Sequence, residues 1–111
     1  MEFTVEDLAN IKQIIIEKYR ASITEHWEPS ISNRPHMSVF FGYIYLNTFK
    51  ELDRELTREN CSMLRAADTN IKVAINAFLK YRDEPELEDL LDFVEIFISE
   101  HINQFYHWYY Q

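Results

Sequence analysis

The sequence predicts an all-α protein: a single-domain antiparallel four-helix bundle with one long loop between its first and second helices. Three observations carry that expectation. Four segments repeat apolar residues at spacings of three and four, the period that lines one face of a helix. One Gly and three Pro are too few for the tight turns of a sheet protein. The predicted segments are joined by mostly short connections, which set successive helices side by side and antiparallel. The 111 residues show no internal repeat, low-complexity tract or second domain, and they are enough for a modest core.

The first helix is expected over about 4–26. Thr4 serves as its N-cap with Asp7 three residues on, and its stripe is Val5, Leu8, Ile11, Ile15, Tyr19 and Ile23. The segment "WEPSISNRP" is the long loop that follows. The second helix is expected over 35–57, with Pro35 in its first turn, where a missing N–H is harmless. Its stripe is Phe41, Tyr45, Phe49, Leu52 and Leu56. Its first half is also apolar on the other side, through Phe40, Tyr43 and Ile44. Gly42, the sole glycine, lies beside the stripe, where it would let another backbone come close. The third helix, about 59–82, uses Leu64, Ala67, Ile71, Ala74, Ile75 and Phe78. "ADTN" at 67–70 is its weak point, but the stripe passes through in phase. The fourth, about 85–109, opens at Pro85 and runs Leu87, Leu90, Leu91, Val94, Phe97, Ile98, His101, Phe105 and Trp108.

The search for chemistry returns little. There is no GxGxxG, P-loop, HExxH, CxxC or GxSxG, and no Glu-x-x-His pair to build a di-iron site in a bundle. His26 and His36 flank the long loop with Glu28 between, but that spacing matches no metal-ligand pattern. Cys61 is the only cysteine, which excludes an internal disulfide and favours a reducing compartment; a structural thiol is its plainer role. His101 falls within the apolar stripe. It reads either as a core histidine bonded to a neighbour or as a pH-sensitive packing element. His107 lies toward the polar side. No catalytic residue, metal or cofactor is therefore expected, and the protein reads as a non-enzyme. The first ten residues, "MEFTVEDLAN", lack the basic and apolar regions of a signal peptide. The apolar run "VFFGYIYL" is far short of the roughly 20 residues of a membrane span. The expectation is a cytoplasmic protein.

The informative feature is charge. After Arg82 there is no Lys or Arg, while eight acids follow: Asp83, Glu84, Glu86, Glu88, Asp89, Asp92, Glu95 and Glu100. Residues 1–82 hold eleven acids and eleven bases, so the formal charge of −8 sits entirely in the last quarter. Carboxylates favour a helix N-terminus, but only within the first turn, which leaves Asp92, Glu95 and Glu100 unexplained. Solubility accounts for charge without requiring it all on one element. Like charges at i and i+4, such as Glu88 and Asp92, are mildly destabilising. Glu88, Asp92, Glu95 and Ser99 share one face, Asp89 flanks them, and Ile96 and Phe93 interrupt them. Tyr106 and Tyr110 in the tail lie off the core stripe. Charge for steering with apolar anchors among it is the pattern of a protein–protein interface.

Such a face repels phosphates, so direct nucleic-acid binding is not expected. It suits a protein that itself carries a basic, phosphate-seeking cleft. In size, acidity and aromatic content the chain resembles bacterial immunity proteins that block nuclease toxins, and phage inhibitors that mimic DNA. The resemblance covers charge and size, rests on no motif, and carries over no residue role. It implies an inhibitor, and the charge pattern itself makes Glu88, Asp89, Asp92, Glu95, Ile96 and Tyr106, with Phe93 and Tyr110 at the edge, the expected contact surface. The rival reading is a structural or regulatory homo-oligomer, a homodimer for example, assembled through Phe40, Tyr43 and Ile44. Circular dichroism is expected to show a predominantly helical protein; a spectrum dominated by strand would overturn the fold class and all that rests on it.

Overall fold

A computed structural model of the protein describes residues 5–27, 41–52 and 56–109, by backbone alone at 5 and 105–109. Every regular element among them is helical: α1 (Val5–His26), α2 (Ile44–Leu52), α3 (Arg58–Lys80) and α4 (Leu87–Tyr109). α1 packs on α2 and α4, and α3 packs on α2 and α4, so the helices form a closed ring. None is long and apolar enough to cross a membrane.

The stripes read from the sequence supply most of the core. Ile11, Ile15, Tyr19 and Ile23 of α1 are buried, joined by Ile16. Leu64, Ala67, Ile71, Ile75 and Phe78 of α3 meet Leu90, Leu91, Val94, Ile98 and Ile102 of α4. Leu8, Leu87 and Phe97 are half-buried against this cluster. Thr4, the expected cap of α1, and the side chain of Val5 lie outside the described residues, as do Phe105 and Trp108 beyond their backbone.

The second helix departs most from expectation. It starts at Ile44, and Phe41, Gly42 and Tyr43 ahead of it are not helical. Gly42 has φ 62°, a left-handed conformation that only glycine adopts cheaply. A Cβ there would meet nothing within 4 Å, so this glycine serves a backbone turn and not close packing. Pro35 and the rest of 28–40 lie outside the described residues. At the other end Thr57 is extended, with ψ 162°, and its hydroxyl accepts the Asn60 N–H at 3.1 Å. It is the N-cap of α3, which is why α2 does not run to 57. Leu52, expected in its inward stripe, is 37% exposed. α3 ends two residues earlier than expected, with the Tyr81 N–H bonded back to the Ala77 carbonyl at 3.1 Å. α4 begins just past Pro85, at Leu87.

The "ADTN" segment owes its presence in α3 to Asp68, whose exposure is 0%. Its Oδ1 accepts the Tyr19 hydroxyl at 2.7 Å and the Tyr45 N–H at 2.8 Å. Its Oδ2 accepts the Leu46 N–H at 3.2 Å. The first N–H groups of a helix have no intrahelical acceptor, and α2 has no acid in its own first turn. Asp68 therefore caps α2 from another helix, with its negative charge at the positive end of the α2 dipole. Burial pushes the carboxyl up from its ordinary value, against the pull of the two N–H groups, Tyr19 and nearby Lys72. Burial also raises Tyr19, so its phenol stays protonated and keeps donating. On the other flank of α2, Lys18 reaches the buried Thr48 hydroxyl at 3.2 Å and Glu51 at 3.5 Å.

Asp68→Ala strands two N–H groups and a phenol, and is expected to cost about 3 kcal/mol. Thr57→Ala removes one exposed cap, for about 1 kcal/mol. Urea unfolding of both variants checks the ranking, and a cap loss that outweighs the Asp68 loss would contradict the trans-cap.

Candidate functional site

The rotation of α4 is set by its buried side. With Leu90, Leu91, Val94, Ile98 and Ile102 turned inward, the 3.6-residue period turns Glu88, Asp92, Glu95 and Ile96 outward. Asp89 is exposed beside them. Ile96 is 60% exposed in the midst of these carboxylates. Asp92, Glu95, Ile96, Ser99 and Glu100 line a shallow, open depression of about 440 Å³. One base enters from another helix: Arg20 of α1 places Nη1 3.3 Å from the Glu95 carboxylate. Both partners are well exposed, so the pair adds at most about 1 kcal/mol of stability. It does fix one border of the acidic face against α1.

Phe93, expected at the edge of this surface, is only partly buried there. It is half-buried against α3, its ring 5.0 Å from that of Phe78 and 6.0 Å from that of Phe97. The Arg82 guanidinium lies 4.1 Å from the Phe78 ring. The ring contacts continue inward from Phe97 to His101 at 5.8 Å, His101 to Tyr45 at 6.1 Å, and Tyr45 to Tyr19 at 6.0 Å. The side chain of Tyr106 and the whole of Tyr110 lie outside the described residues.

The surface considered for self-association is divided by the fold. Ile44 is 9% exposed and belongs to the core, because it opens α2 on the side facing α1 and α3. Tyr43 is 47% exposed, with the Lys72 ammonium 4.9 Å from its ring. Phe40 lies outside the described residues. Cys61 is a free, half-buried thiol packed against the core. His26 Nδ1 is 2.9 Å from the Ser22 carbonyl, while Glu28 and His36 fall outside the described residues. Among the described residues no three His, Cys, Asp or Glu side chains are grouped to hold a metal.

His101 is half-buried, and burial pushes its imidazole below the ordinary value. Its Nδ1 is buried without a hydrogen-bond partner, as is the Tyr45 hydroxyl. The polar group missed from the sequence is Asp68. Its signal was an acid sitting in phase with Leu64, Ile71 and Ile75, on the side of α3 that turns inward.

The chain matches no family model, no curated protein and no solved structure. What the α4 face does follows from its own chemistry. Its exposed carboxylates act at long range on cations, and Ile96 offers apolar area at short range. Phe93→Ala opens a gap against Phe78 and is expected to cost about 3 kcal/mol, whereas Ile96→Ala should stay within about 0.5 kcal/mol. Denaturant unfolding distinguishes the two; equal losses would mean that α4 is rotated differently from this description.

Proposed function

We propose that the protein is a non-enzymatic inhibitor that binds and occludes a basic, nucleic-acid-acting protein through the outer face of α4. The reading is an immunity protein that neutralises a nuclease toxin; a DNA-mimicking phage inhibitor is the other form of the same chemistry. The observation that carries it is Ile96, 60% exposed among Glu88, Asp92 and Glu95 on a helix whose opposite side is locked into the core. Exposed carboxylates attract a cationic cleft and orient its approach, while the apolar residue gains from desolvation on contact. The helices are read as an antiparallel bundle, in keeping with overall dimensions of 44 × 23 × 21 Å. In such a bundle α4 is a stiff, full-length edge that fits a groove as a duplex backbone would. The proposed contact set also takes in Tyr106 and Tyr110, named from the sequence alone. Assembly through Phe40, Tyr43 and Ile44 is the weaker alternative, because Ile44 is core.

The test is a partner captured from the native host and its association kinetics with the double variant Asp92→Lys, Glu95→Lys. Association is expected to slow at least tenfold and to lose most of its salt dependence, since exposed charges are screened beyond roughly 8 Å at physiological ionic strength. Stability should fall by less than about 1 kcal/mol, chiefly because Arg20 then faces a like charge. A partner that binds the variant at the wild-type rate, with no effect of salt, would assign the carboxylates to solubility alone.

A further inference from the structure

All four helices contribute one titratable side chain to a continuous cluster inside the fold. Tyr19 of α1 donates to Asp68 of α3 at 2.7 Å, and Asp68 accepts the N–H of Tyr45 of α2 at 2.8 Å. The Tyr45 ring in turn stands edge-on, at 87° and 6.1 Å, to the imidazole of His101 on α4. α2 and α4 lie diagonally opposite in the helix ring, without close backbone approach, so these two rings reach across its centre. Phe97 packs on the imidazole at 5.8 Å. His101 Nδ1 and Tyr45 Oη are both cut off from solvent and have no hydrogen-bond partner.

We propose that His101 and Tyr45 form a pH-sensitive joint between α4 and α2, closed while His101 is neutral and loosened when mild acid protonates it. A neutral imidazole can leave Nδ1 as a bare acceptor, with its proton on the other nitrogen. In the imidazolium both nitrogens are donors, so Nδ1–H becomes a buried cationic donor without an acceptor. The charged and titratable groups around the joint offer little relief. From α1 comes Tyr19, whose hydroxyl is committed to Asp68. From α2 comes Tyr45, whose phenol burial keeps protonated. From α3 comes Asp68, the one acid of the cluster, whose oxygens already serve Tyr19, Tyr45 N–H and Leu46 N–H. Lys72, also on α3, adds only positive charge to its surroundings. Glu100 precedes His101 on α4 but is exposed.

The direction in pH follows from burial, which lowers His101 in the folded protein. The stability it contributes is complete above the ordinary histidine value of about 6.5 and is lost as pH falls through the lowered value. Asp68 works in the opposite sense. Its raised carboxyl favours the fold as pH falls through that raised value toward the ordinary carboxylate range. A raw stability curve therefore mixes the two, and the effect of His101 must be read as a difference. The joint acts on the helix that carries the acidic face, and it stands whatever that face binds.

The experiment has two arms. The first is an NMR titration of the His101 ring in the unmodified protein, expected to give a midpoint below about 6.5. The second is urea unfolding of wild type and His101→Phe from about pH 7.5 to 5. Below about 6.5 the wild-type folding constant, relative to His101→Phe, should fall by up to tenfold per pH unit. A midpoint at or above the ordinary histidine value, or two parallel stability curves, would overturn the proposal. The titration requires no variant and decides by itself if His101→Phe does not fold.

Discussion

A single buried carboxylate organises this fold. Asp68 stands on α3, takes a phenol from α1 and receives the first N–H groups of α2, so three of the four helices converge on its two oxygens. An ionisable group with no exposure is tolerated only when its lone pairs are filled, and here the donors are ones that also need an acceptor. α2 has nine residues, too few to be stable alone, and no acid in its first turn. Its N-terminus is completed by another helix, and that pins its direction and register against α1 and α3. Gly42, in the left-handed region just ahead, turns the chain into position. The Tyr45 ring is thereby carried into the centre, where it meets His101.

From that centre a run of aromatic rings leads outward to the fourth helix. Tyr45, His101, Phe97, Phe93 and Phe78 follow one another in contact, ending under the Arg82 guanidinium. Ring on ring contact fixes orientation as well as distance, because edge-to-face and offset arrangements are favoured over others. Only Phe93 on Phe78 and His101 on Tyr45 cross between helices in this run, and they add to the buried Leu90, Leu91, Val94, Ile98 and Ile102 that set how α4 is rotated. That rotation decides which residues of α4 meet solvent. The acidic face is the other side of a helix whose inner side is held by rings and aliphatic residues, so its carboxylates hold their relative positions without contributing to the core. The contact from Arg20 to Glu95 limits the face on its α1 side and leaves Ile96 and Asp92 toward the middle.

Much of this was legible in the sequence. Four amphipathic segments and the scarcity of Gly and Pro determined a helical protein, since period and propensity are local properties of the chain. The acidic face of α4 was equally legible, because Leu90, Val94 and Ile98 define the inward side and Glu88, Asp92 and Ile96 then have only the outward side left. Tertiary structure decided the rest. That Asp68 would be buried, and would cap a helix 22 or more residues away in sequence, depends on a donor set assembled only when α1, α2 and α3 pack together. The length of α2 depended on a glycine φ and on whether Thr57 would end one helix or begin the next. Ile44 read as a possible surface residue because a helical wheel gives each residue an angle but not the breadth of the arc that neighbours cover. Arg20 beside Glu95 was invisible for the same reason: charge balance along a chain says nothing about which base another helix will bring across.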